Sequence, residues 1–158
     1  MIKLVILVAS FAATAWGFSA GAPLSVCDDM LPKHPVDPQK STMPYKITIN
    51  KEEVGPGGEV EIKVGGKFFL GVLLQVRNEK NKAVGTFPIP GNDKYFKAID
   101  CHGNKGSSAT HKNKEPKKDI TFIWQAPKTP GKYTVYATVA QDGGVFWVAK
   151  PSGTIKVA

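Results

Sequence analysis

Arginine is almost missing from this chain of 158 residues: Arg77 stands alone beside 20 lysines. A lysine ammonium is a compact, hydrated charge, whereas the guanidinium fork reads phosphates and base edges bidentately. Nucleic acid is therefore not the expected partner, even though the formal net charge is +8. Histidine is scarce too. His34, His102 and His111 show neither HxxxH nor HExxH spacing, so no metal site is expected. No GxSxG elbow supplies a nucleophile. No Asn-x-Ser/Thr acceptor occurs, so N-glycosylation is not expected. After the N-terminus no run is long and apolar enough to span a membrane, which takes about 20 residues. These absences leave no catalytic residue and no cofactor to propose, and the chain is expected not to be an enzyme.

What is present starts with an export signal. Lys3 is followed by an uncharged, largely apolar run from Leu4 to Ala15, then by small residues at Ala15 and Gly17. This is the three-part pattern of a secretory signal peptide. Cleavage is expected between Gly17 and Phe18, with a second choice after Ala20. Residues 1–17 are then the signal and residues 18–158 one mature domain, secreted and extracellular. Without Lys3 the mature chain keeps 20 basic against 13 acidic residues, a net +7. In an oxidising compartment the even pair Cys27 and Cys101 reads as a disulfide. Two free thiols or a redox pair would be the alternative, but a Cys-x-x-Cys spacing is lacking. Closing a loop of this size is worth roughly 4–5 kcal/mol in the chain-entropy picture.

Residues 18–44 carry Pro23, Pro32, Pro35, Pro38 and Pro44, which make regular structure improbable there. The expectation is an irregular arm lying across the domain, pinned by Cys27. From Tyr45 the apolar period becomes two. Strands are expected at Tyr45–Ile49, around Val60–Val64, over the most apolar run Phe68–Arg77, and at Ala83–Phe87. Others follow near Ser108–His111, then at Ile120–Gln125, Tyr133–Ala140, Val145–Val148 and Thr154–Val157. Phe122 and Trp124 share one face and read as core, whereas Phe68 and Phe69 face opposite ways. The stretch Lys94–Lys118 is expected to be irregular apart from one short strand. Eight or nine short strands with no convincing helix indicate an all-β, immunoglobulin-like antiparallel β-sandwich. The segment Gly131-Lys132-Tyr133-Thr134-Val135 resembles the tyrosine corner of such folds, with Val135 where antibody domains place a cysteine.

An ordered set of segments carries a family likeness. It comprises Gly21-Ala22-Pro23, Cys27, Asp29 to His34, Phe69 to Arg77, Gly85-Thr86-Phe87, Cys101 and Thr110-His111. Ile120 to Pro127 and Phe146-Trp147-Val148 complete it. In this order the chain resembles the reeler domain, and within it the short secreted insect defence proteins of the noduler type. The resemblance implies an immunoglobulin-like sandwich with a bridge between Cys27 and Cys101. It further implies an innate-immunity role: binding bacterial lipopolysaccharide, lipoteichoic acid or β-1,3-glucan, and aggregating host blood cells around microbes. It carries no binding residues across.

Candidate ligand-binding residues come from the lysine-rich stretch and one aromatic pair. Lys112, Lys114, Lys117 and Lys118 cluster beside His111, with Lys105 nearby in sequence. Sharing one face, they would neutralise lipid phosphates or a teichoic acid chain in a salt-sensitive way. Scattered, they are solvated loop charges. Phe146 and Trp147 are neighbours on a strand and point to opposite sides, so one ring, with Trp147 the candidate, is expected to be exposed for a sugar or an acyl chain. The leading expectation is a secreted, non-catalytic protein binding microbial glycolipid or glucan. The alternative is an extracellular adhesion or matrix module that binds heparan sulfate or a host protein. Direct membrane killing would want a cationic amphipathic helix, which the sequence lacks.

Overall fold

The computed structural model describes residues 18–158; the expected signal peptide lies outside them. Nine strands form two facing sheets. They are β1 (Lys46–Ile49), β2 (Glu53–Val54), β3 (Glu59–Gly65), β4 (Gly71–Arg77), β5 (Phe96–Ile99), β6 (Ser108–His111), β7 (Ile120–Gln125), β8 (Gly131–Ala140) and β9 (Phe146–Val157). One sheet has the order β1-β3-β7 and the other β2-β9-β8-β4-β6-β5. The all-β sandwich is as expected, and all but one of the strand pairs are antiparallel. The exception is two-residue β2, which runs parallel to the end of β9.

In the three-stranded sheet alternation does the sorting. Val60, Ile62 and Val64 point inward and are fully buried, while Glu59, Glu61 and Lys63 face solvent. Phe122 and Trp124 on β7 join the same interior, as their spacing indicated. Val72, Leu74 and Val76 of β4 and Tyr133, Val135, Ala137 and Val139 of β8 close the core from the other side. Each large apolar side chain so buried contributes about 1.5–3 kcal/mol. The Tyr133 hydroxyl donates to Thr129 O four residues upstream, which completes the expected tyrosine corner.

Four local expectations change. The strand expected to begin at Phe68 begins at Gly71, because Phe69 pairs instead with Lys117 in an isolated bridge. Ala83–Phe87 forms no strand. Gly85 there has φ +71° and sits where a Cβ would come 2.4 Å from Trp124 Nε1, so the segment wraps the indole, whose Nε1 donates to Val84 O at 2.9 Å. Strand β5 lies inside the stretch expected to be irregular, paired with β6 from Phe96↔His111 to Ile99↔Ser108. The last two expected strands are one, β9, which absorbs Pro151 and Gly153 through register shifts against β8.

The expectation of an exposed ring at Phe146 or Trp147 is also corrected, since both are buried. Trp147 belongs to the inter-sheet core and stacks edge-on with Tyr45. Phe146 points the other way, but His34 of the N-terminal arm packs against it at 5.1 Å. The arm covers the face that alternation would have left to water.

Candidate functional site

The arm, residues 18–44, contains one short 3-10 turn, Leu24–Val26, and is otherwise irregular. Unlike chemistries hold it to the outer face of the six-stranded sheet. Cys27 is bonded to Cys101, with Cα atoms 5.5 Å apart, as expected from the cysteine pair. Arg77, the single arginine, is buried beneath it. Its guanidinium donates to Cys27 O and Asp28 O, both at 2.8 Å, to Asn81 Oδ1 at 3.0 Å and to Gln75 Oε1 at 2.7 Å. Among the described residues no carboxylate forms a salt bridge with this cation. Desolvation pushes its pKa down, yet guanidinium stays charged, and the fork's geometry lets backbone carbonyls satisfy it. Asp28 also accepts from His102 Nε2 at 2.6 Å, and that hydrogen bond holds its carboxyl below the usual range. The other ring nitrogen of His102 accepts from Ala83 N–H.

Further along, the Thr138 hydroxyl donates to Met30 O at 2.8 Å and accepts Ala149 N–H at 2.9 Å. Gln39 N–H donates to Phe146 O, and Trp147 Nε1 donates to Ser41 O. At its start the arm crosses β6. Gly21 has φ +109° and lies so close that a Cβ would come 2.5 Å from His111 O, leaving room for no other residue.

Between arm and sheet lies a cavity of about 320 Å³, at the lower end of the range of roughly 300–1,000 Å³ usual for small-molecule sites. Phe18, Ala22, Val26, Met30 and Pro32 form its roof, and Leu70, Gly71, Val72, Leu73 and Ala140 its floor. Thr138, His34 and His111 are set into these walls, and exposed Ser19, Lys114, Asp142 and Gly143 mark the rim. His111 Nδ1 accepts Val72 N–H at 3.1 Å, and Nε2 lies 2.7 Å from Phe18 O. These partners assign the proton to Nε2. Burial pushes the His111 pKa down, against smaller opposing effects of its backbone partners, so the ring is neutral and serves as a latch for Phe18.

The structure separates most of the other residues singled out from the sequence. Lys105 and Lys112 stand at opposite ends of β6. Lys112 Nζ donates to Gly91 O and Asp93 O. Lys117 is buried, its ammonium shared among Leu70 O, Asn113 O and Glu115 O at 2.7–3.1 Å. Lys118 is exposed, with Nζ 5.3 Å above the Phe68 ring. Only His111 and Lys114 reach the cavity. The residues of its roof are not among the binding candidates singled out from the sequence. The one available signal was the spacing of apolar Ala22, Val26 and Met30, four residues apart within a proline-rich arm.

Among the described residues no group of three or more His, Cys, Asp or Glu could hold a metal ion. No helix there is long and apolar enough to cross a membrane.

Several known proteins are similar. "Putative defense protein Hdd11" of Hyphantria cunea is 41% identical over 160 residues, covering 96% of each chain. "Defense protein l(2)34Fc" of Drosophila melanogaster is 32% identical over 161 residues, covering 99% of each. The crystal structure of the Reelin-N domain of F-spondin superposes with a TM-score of 0.62 at 17% identity, covering 78% of this chain and 91% of that one. It supports the fold alone. The Reeler domain description matches residues 25–158, and the chain belongs to the reeler domain family.

Proposed function

We propose that this is a secreted, extracellular, non-catalytic innate-immunity protein that binds microbial surface components: lipopolysaccharide, lipoteichoic acid or β-1,3-glucan. The observation that carries the reading is full-length similarity to proteins named for defence. Such matches span nearly the whole chain, sandwich and arm together, which supports a role carried by both. The basic surface supports an anionic target, because 20 basic residues face 13 acidic ones from residue 18 onward and long-range attraction raises the encounter rate.

Retention on immobilised lipopolysaccharide, lipoteichoic acid and curdlan at physiological salt tests the reading. Binding to at least one is expected, weakening with added salt for the two phosphate-bearing ligands. Retention on none of the three, with firm binding to heparin, would replace it with an adhesion module.

A further inference from the structure

We infer that the cavity under the arm binds one acyl chain of a microbial phosphoglycolipid, leaving the anionic headgroup at the rim beside Lys114. The source of the ligand rests on the defence reading above; its chemistry rests on the cavity.

The room exists because two minimal residues meet at the floor. Gly71 and Ala140 are paired across β4 and β8, and a Cβ on Gly71 would lie 3.5 Å from that of Ala140. Polar groups set into the walls are already engaged. Both nitrogens of His111 have backbone partners, and the Thr138 hydroxyl both donates and accepts. His34 Nδ1 is the exception, buried without a partner, and one nitrogen does not read a sugar. A polar ligand entering here would lose its hydration and gain almost no hydrogen bonds, which is costly. A hydrocarbon chain loses nothing and gains by leaving water.

The surroundings fit an amphiphile presented on a bilayer or micelle. Four large apolar side chains are well exposed among the described residues, and three of them, Leu24 (60%), Leu31 (36%) and Val36 (44%), lie on the arm that roofs the cavity. They offer an apolar surface where the lipid phase would touch. At the rim Lys114 is exposed beside the turn that carries Asp142 and Gly143. Asp142 itself accepts Gly144 N–H within its own turn.

The test compares intact lipoteichoic acid with the same polymer freed of its ester-linked acyl chains by mild base. The D-alanyl esters, which base also removes, are first stripped from both samples at mildly alkaline pH, so that deacylation then keeps every phosphate and takes away only the hydrocarbon. The wild-type protein is expected to bind the intact form at least about tenfold more tightly, the yield of burying only two or so methylenes. Ala140→Phe places a ring over the floor and should abolish that preference while leaving binding of the deacylated polymer unchanged. Ala22→Phe does the same from the roof, and an unshifted thermal midpoint for either variant certifies its fold. Equal wild-type affinity for both forms overturns the acyl site and leaves the defence reading intact. Retention on curdlan with neither form bound does likewise. Binding to none of these ligands overturns both.

Discussion

The two sheets of this sandwich obey different rules. In β3 of the three-stranded sheet, buried and exposed residues alternate from Glu59 to Val64; in β4 of the six-stranded sheet, all seven residues are buried. The first sheet turns its outer face to water. The second carries the arm there, and Leu73 packs under Val26 and Met30. A period of two therefore reports burial only for a sheet with one dry face. A strand covered on both sides looks uniformly apolar, and in β4 even its polar members, Gln75 and Arg77, are buried because they hold the cover in place.

Breaking the cover is the most disruptive test. Replacing both cysteines by serine should cost roughly 4–5 kcal/mol, measured by denaturant unfolding, with early proteolysis within residues 18–44. Leu73→Ala should cost about 2–5 kcal/mol, as a core position would, although it lies on the outer face of its sheet. If that cost falls to surface levels, the arm does not pack as described. Gly21→Ala combines a positive φ with a clash at His111 O, and about 1–3 kcal/mol of strain is expected. It should loosen the start of the arm, seen as faster amide exchange at Ala22, whose N–H is bonded to Thr110 Oγ1.

Acid should act through His111. Its folded pKa is depressed by burial, so its contribution is complete above the unfolded value near 6.5. It declines as pH falls from there towards the lower folded value, because the unfolded chain then takes up the proton first. His111→Gln should flatten that part of the stability–pH curve. The smallest effect belongs to the other sheet. Glu61→Ala on its wet face should change stability by no more than about 0.5 kcal/mol.

How much of this was legible follows from the same contrast. The three-stranded sheet could be read residue by residue, including the inward Phe122 and Trp124. So could the tyrosine corner and the cysteine pair, because each rests on local spacing or on a count. The arm's path could not, since nothing periodic marks it and its partners lie far along the chain: Thr110 for Ala22, Thr138 for Met30, Phe146 for Gln39. Misplacing Trp147 and Lys117 has the same root. Each was judged by its neighbours in sequence, while its polar atoms are satisfied by Ser41 and by Leu70, Asn113 and Glu115. The cavity was hidden for the same reason, because its roof and floor are some forty residues or more apart.

The doubly buried β4 has a consequence for how the chain is made. Phe68 to Val76 is apolar but for Gln75, the kind of segment that pairs with copies of itself when left bare. Synthesis runs from the N-terminus, so residues 18–44 emerge before it. Cys101, Thr110, Thr138 and Phe146, which hold the arm down, all follow β4, so the strand most liable to aggregate is covered on its outer face only once the rest of the sandwich has been made.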